Sequence, residues 1–224
     1  MSAGSMSQPG WPSLYNYFRS STSYRVRVAL KMKGVAYHYR AIHLRKGEQL
    51  STSYLALNGQ GLVPTLELAN GTRLTQSLAI IEYLDEAHPE PPLLPVDTLG
   101  RARVRAIAQM IALDIHPINN LRVLAEIRTR FGADEDAVAA WFRHWVEATF
   151  GPLETLLASD RATGRFCHGD KPTLADICLV AQVANHARFQ VDMAPYPTIG
   201  RIAAAATDLD AFKRAAPASQ PDAE

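Results

Sequence analysis

Between positions 14 and 75 the apolar residues fall in short runs of strand length, interrupted once by a stretch of helical period. Leu14-Tyr-Asn-Tyr17 reads as a short aromatic-rich strand, and residues 36–44, rich in aromatic and branched side chains, as a second. Between them lie a polar loop over 18–22 and a helix over 24–33. Ser23 is a good N-cap for that helix, Lys31 and Lys33 fill its last turn, and Gly34 stops it. This β-α-β order favours parallel pairing through a right-handed crossover. A single helical turn follows near 54–57, then a strand over Val63-Pro-Thr-Leu-Glu-Leu68. Asn70-Gly71 is a strong hairpin turn, so 72–75 returns antiparallel. Ile80, Tyr83, Leu84 and Ala87 recur at i, i+3, i+4 and i+7, which makes 77–88 an amphipathic helix that Pro89 ends.

Past Pro89 the strand signals vanish. Residues 89–97, opening on Pro89-Glu-Pro-Pro-Leu-Leu-Pro95, form a stiff linker and a domain boundary. Val104, Ile107, Ala108 and Ile111 make one helical stripe, which Pro117 kinks or breaks. Val138, Trp141, Phe142, Trp145 and Thr149 make another, continued by Leu153 and Leu156. Thr173-Leu-Ala-Asp176 opens a third helix as a capping box, and a last one spans roughly 197–212. The expected organisation is a flexible extension over 1–12, an α/β domain over 13–88, the linker, and an all-α domain over 98–224.

Composition narrows the function classes. The 224 residues carry a net charge of +1, with 23 Lys and Arg against 22 Asp and Glu. That balance gives no electrostatic reason to expect nucleic acid or an anionic membrane as partner. No stretch approaches the ~18 uninterrupted apolar residues of a membrane span. The first ten residues have neither a cationic region nor an apolar run, so no signal peptide is expected, and Met6 is an alternative start. The two cysteines, Cys167 and Cys178, form no C-x-x-C and have no ligand-spaced histidine. They fit a reducing, cytoplasmic setting, with no metal site expected.

The most informative cluster is Arg19-Ser-Ser-Thr-Ser23, at the entrance of the first helix. A helix N-terminus presents N–H groups without intrahelical partners and a partial positive charge, and so stabilises an anion. With hydroxyls and no cysteine there, dithiol redox chemistry by the chain itself is excluded. Two readings stay open at this level: plain capping by Ser and Thr, or donors for a thiolate supplied by another molecule. Gln60-Gly-Leu-Val-Pro64 before a strand and Gln76-Ser77 at the next helix start complete the constellation.

This order resembles the glutathione site of the glutathione transferases, which combine a thioredoxin-like α/β domain with an all-α domain. The resemblance implies a cis Val63–Pro64 bond offering backbone groups to the cysteinyl part of glutathione, and Gln76 and Ser77 binding its γ-glutamyl end. Arg19-Ser-Ser-Thr-Ser-Tyr-Arg-Val-Arg27 is similar to the S-S-C-S-W-R-V-R signature of the zeta class, which includes maleylacetoacetate and maleylpyruvate isomerases. So are Asp114-Ile-His-Pro-Ile-Asn-Asn-Leu-Arg122, Arg188-Phe-Gln-Val-Asp-Met-Ala-Pro-Tyr-Pro-Thr198 and the ending Ala216-Pro-Ala-Ser-Gln-Pro-Asp222. The signature cysteine is Thr22 here, so glutathione must supply the sulfur. The implied activity is isomerisation of a dianionic cis-enedione, with glutathione returned each turnover, by a homodimer. Ser20 and Thr22 are the implied thiolate donors and Arg19 and Arg188 the implied carboxylate holders. Beside Gln60, Val63 and Pro64, His116, Asn120 and Arg122 are candidate glutathione contacts, each with a structural role as the alternative. A transferase that conjugates glutathione permanently to electrophiles such as α-haloacids, and a non-catalytic binding module, are the competing readings.

Overall fold

The computed structural model describes residues 10–224. Residues 1–9, which hold most of the expected extension and Met6, lie outside them. The described chain divides into two compact units: the residues up to Pro91 together with Asp210–Glu224, and Pro92–Leu209. The division falls inside the proline-rich linker. The tail, expected to continue the all-α domain, folds with the first unit instead.

The first unit runs β1 (Ser13–Asn16), α1 (Ser21–Met32), β2 (His38–Ala41), α2 (Thr52–Leu55), β3 (Thr65–Glu67), β4 (Arg73–Thr75) and α3 (Ser77–Ala87). The strands form one four-stranded sheet in the order β2-β1-β3-β4. β1 pairs β2 in parallel, Leu14 opposite Tyr39, while β3 is antiparallel to both β1 and β4. Pro12 already belongs to this frame, because its carbonyl accepts from the His38 N–H at 2.9 Å. β2 is shorter than its apolar run, since His43 caps a turn of 3-10 helix over Leu44–Lys46. α1 is buried along nearly its whole length because two helices cover it: α3, and the helix over Asp210–Ala215 in the tail.

The second unit is all helical: α4 (Thr98–Gln109), α5 (Leu121–Phe131), α6 (Glu135–Ser159), α7 (Leu174–Val183), α8 (His186–Phe189) and α9 (Pro197–Thr207). The first-unit tail then adds α10 (Asp210–Ala215). Pro117 has the expected effect upstream: α4 widens into a π-helical segment over Met110–Ile115, with the His116 N–H donating to the Ile111 carbonyl at 3.1 Å. The capping box at α7 forms as its spacing predicts. The buried Asp176 carboxylate accepts from the N–H groups of Cys167 and Thr173, both at 2.7 Å, and from the Thr173 hydroxyl at 2.8 Å. One acidic residue thereby fixes both a helix start and the loop before it. Cys167 and Cys178 are buried free thiols, and burial pushes the Cys167 pKa up, away from thiolate chemistry.

His186 is 3% exposed, its Nδ1 3.0 Å from Met193 Sδ and its Nε2 without a partner among the described residues. Burial lowers its pKa from the ordinary 6.5 to about 4. Because the folded-state value lies below the unfolded one, the unfolded chain takes up this proton first. The stability contribution is therefore present above pH 6.5 and lost as pH falls toward 4. At about 1.4 kcal/mol per pKa unit, roughly 2 kcal/mol should disappear between pH 6.5 and 5. Denaturant midpoints measured across that range should fall less steeply for His186→Phe than for the wild type, and parallel curves would refute the assignment.

Candidate active site

The Arg19–Ser23 segment joins β1 to α1, and α1 begins earlier than its sequence suggests. Ser20, not Ser23, is the N-cap: its Oγ accepts from the Ser23 N–H at 3.2 Å. Ser23 is the first-turn partner of that cap and is fully buried. The hydroxyls of Ser20 and Thr22 are 2.8 Å apart, and Thr22 Oγ1 lies 3.0 Å from the Val63 carbonyl oxygen. A carbonyl only accepts, and a hydroxyl has one proton. Thr22 therefore donates to Val63, Ser20 donates to Thr22, and Ser20 accepts from Ser23. Helix geometry leaves the Thr22 N–H without an intrahelical acceptor. Hydroxyls and a helix N-terminus together suit one anion.

The partner loop is built to present Val63. The Val63–Pro64 peptide is cis. Tyr54 on α2 donates its hydroxyl to the Leu62 carbonyl at 2.6 Å and pairs with the Thr65 hydroxyl at 3.0 Å. Asn58 adds 2.9 Å and 3.2 Å contacts to the same two groups. Neither Tyr54 nor Asn58 was singled out in the sequence, where a tyrosine in a short helical turn reads as packing.

The start of α3 has an unusual cap. Ser77 is the first helical residue rather than the N-cap; Gln76 occupies the cap with φ +68° and makes no side-chain capping bond. A left-handed φ on a residue with a side chain costs roughly 1–3 kcal/mol and is held only by its surroundings. Here it turns the Gln76 amide toward Gln60, with Nε2 to Oε1 at 3.2 Å. Ser77 is buried, 3.5 Å from Nη1 of the buried Arg25. Gln60, Val63, Pro64, Gln76 and Ser77 thus lie in the same unit as Ser20 and Thr22, with Thr22 bonded to Val63 and Gln60 to Gln76. Arg19 is exposed beside them, its guanidinium 5.2 Å from the Phe18 ring centre.

The remaining candidates belong to the second unit. His116 follows the π-helical segment and is half-buried. Asn120 uses both polar atoms structurally: Oδ1 caps α5 by accepting from the Val123 N–H at 3.1 Å, and Nδ2 donates to the Pro117 carbonyl at 2.8 Å. Its structural alternative is the one the geometry favours. Arg122 is exposed in the first turn of α5. Arg188, exposed on α8, lies 5.1 Å from the Phe189 ring centre, and its charge helps hold the Glu135 carboxyl below the usual range, after the larger effect of Arg128. Among the described residues no group of His, Cys, Asp or Glu could hold a metal, and no helix is long and apolar enough to cross a membrane.

Residues 14–92 match the model of the glutathione S-transferase N-terminal domain. A maleylpyruvate isomerase of Ralstonia sp is 54% identical over 209 residues, 93% of this chain and 98% of that protein. The holo structure of a maleylpyruvate isomerase, a bacterial glutathione S-transferase of the zeta class, superposes with a TM-score of 0.93 at 54% identity, covering 95% of this chain and all of that one. The chain belongs to the zeta class of glutathione transferases. A maleylacetoacetate isomerase from Methylobacterium extorquens AM1, with malonate and glutathione bound, matches at a TM-score of 0.92 and 40% identity over 95% of this chain and 99% of that one.

The two hydroxyls make separable predictions. Ser20→Ala removes the N-cap and should lower stability by about 1 kcal/mol. Thr22→Ala leaves the cap and should instead raise the thiol pKa of bound glutathione, which titration of thiolate absorbance in the binary complex reads directly. An unchanged pKa in both variants would refute the hydroxyls as thiolate donors.

Proposed function

We propose that this zeta-class chain is a glutathione-dependent cis–trans isomerase that converts maleylacetoacetate or maleylpyruvate to the fumaryl product. The observation that carries the proposal is the Ser20–Thr22–Val63 hydrogen-bond chain at the N-terminus of α1, a thiolate-stabilising site without a protein thiol. The near-full-length similarity to a maleylpyruvate isomerase supports the reaction, and the malonate bound along with glutathione by the Methylobacterium relative supports a dicarboxylate substrate. The working form in this reading is a cytoplasmic homodimer.

The donor set fits glutathione on chemistry. Thr22, Ser20 and the helix N-terminus suit its sulfur, the Val63 backbone suits its central peptide, and Gln76 with the N–H groups opening α3 suits its γ-glutamyl carboxylate. Bound glutathione supplies a thiolate that adds reversibly to the cis double bond, making it rotatable before the thiol departs unchanged. The chain's residues hold the charges that this chemistry requires. Thr22 turns its proton from the Val63 carbonyl to the sulfur, and the α1 N-terminus stabilises the same charge. Arg19 and Arg188 are the proposed carboxylate holders, each guanidinium matching a carboxylate in two-point geometry. His116 and Arg122 are further candidate glutathione contacts.

Stoichiometry tests the reaction type. With the cis-enedione in large excess over glutathione, conversion should go to completion while free thiol stays constant, and no conversion should occur without glutathione. Turnover that halts after one equivalent, leaving a stable thioether, would establish a conjugating transferase instead.

The carboxylate assignment has its own test. Loss of a charge-assisted hydrogen bond costs about 1.5–3 kcal/mol, so Arg188→Ala should lower kcat/KM for the diacid roughly tenfold to a hundredfold. Arg188→Lys should fail almost as badly, because a point charge lacks the fork. Wild-type kinetics in both variants would return Arg188 to a surface role.

A further inference from the structure

The tail after α10 is bound to the loop that carries the site. Tyr24 on α1 donates to the Phe212 carbonyl at 3.2 Å, and Arg27 Nε donates to the Ala215 carbonyl at 2.9 Å. Gln220, itself buried, ties the following turn by donating to the carbonyls of Arg214 and Ala216 at 3.0 and 2.8 Å. These bonds bring the Asp222 carboxylate to the end of β1. Its Oδ2 accepts from the Phe18 N–H at 3.2 Å, and its Oδ1 accepts from the Tyr39 hydroxyl on β2.

The Phe18 N–H is the atom that matters here. On the other side of the same residue, the Phe18 carbonyl accepts from Arg27 Nη2 at 2.9 Å. The preceding carbonyl, of Tyr17, accepts from Arg27 Nη1 at 3.2 Å and from the Ser20 N–H at 3.0 Å. Asp222 is thus the acceptor that closes the frame around residues 17–20, and the next residue after Phe18 is Arg19. A carboxylate in this place also lies near Arg27, whose charge burial disfavours and Asp222 helps sustain. Both effects belong to an anchored side chain rather than to a loose chain end.

We infer that Asp222 is a positioning residue for the site: it fixes the Phe18 peptide and thereby the placement of Arg19 and the Ser20 cap. This rests on the proposed role of Arg19 in holding the substrate. Because Asp222 itself touches neither substrate nor glutathione in this scheme, its effect should fall on diacid handling and on loop dynamics together.

The test pairs Asp222→Ala with Asp222→Asn in the full-length protein. Asn keeps a carbonyl oxygen able to accept from the Phe18 N–H, so it should stay within about threefold of wild-type kcat/KM, whereas Ala should lose about tenfold, mostly in the KM for the diacid. Amide hydrogen exchange at Phe18, read in the absence of any substrate, should accelerate in the Ala variant and stay near wild type in the Asn variant. Wild-type exchange and wild-type KM in Asp222→Ala would overturn the inference, as would a melting-temperature loss in both variants without any change in either readout. Exchange at Phe18 does not depend on the reaction, so a wild-type protein that fails to isomerise would refute the proposed function and leave this readout intact.

Discussion

The buried guanidinium of Arg27 is the contact on which the site depends. It is fully buried, and its donors go to four acceptors: the Asn16 amide oxygen at 2.8 Å, the carbonyls of Tyr17 and Phe18, and the Ala215 carbonyl. Burial pulls its pKa down, yet an arginine stays charged in any folded protein, so the charge has to be met by acceptors. Those acceptors are the end of β1, the site loop and the tail. Removing one would leave a buried donor unsatisfied, at about 1–3 kcal/mol. The loop geometry is therefore imposed by a solvation requirement several residues away from the Thr22 hydroxyl.

Given that frame, the hydroxyl chain follows from proton counting. Thr22 has one proton and a carbonyl acceptor in Val63, and Ser20 has one proton and an acceptor in Thr22. In the proposed site a sulfur anion would compete with the Val63 carbonyl for the Thr22 proton, and charge would favour the anion, since bonds to ionised acceptors are roughly twice as strong as neutral ones. A site with cysteine at this position would place a second sulfur beside the first. Threonine removes that reactive group and leaves donors only.

Much of the fold was legible because it rests on local rules. Asn70-Gly71 gave the hairpin, Pro89 the helix end, and Thr173 with Asp176 the capping box, each an interaction within four residues along the chain. The cap of α1 was misplaced by three residues because any of several consecutive Ser and Thr residues can cap, and only the Ser20 Oγ to Ser23 N–H contact chooses among them. The cap of α3 falls on Gln76, whose left-handed backbone breaks the usual cap preference, as local strain does to sequence rules.

The tail was illegible for a different reason, and it bears on how the domain boundary should be understood. Residues 210–215 have a helical period and follow helices, so pattern alone assigns them to the all-α domain. What returns them to the first unit are contacts spanning 188 to 204 positions, Tyr24 to Phe212, Arg27 to Ala215 and Phe18 to Asp222. Two of the three donors belong to the Tyr24-Arg-Val-Arg27 stretch of α1, where Arg25 and Arg27 stand in an otherwise apolar, buried run. A charged side chain in such a run needs acceptors that its own helix cannot provide, because helix carbonyls are already bonded. The two arginines were thus the available signal that a distant segment must cover α1. The segment that supplies the Arg27 acceptor also supplies the carboxylate at Phe18, which makes the C-terminal tail part of the first unit's architecture and not an appendage to the second.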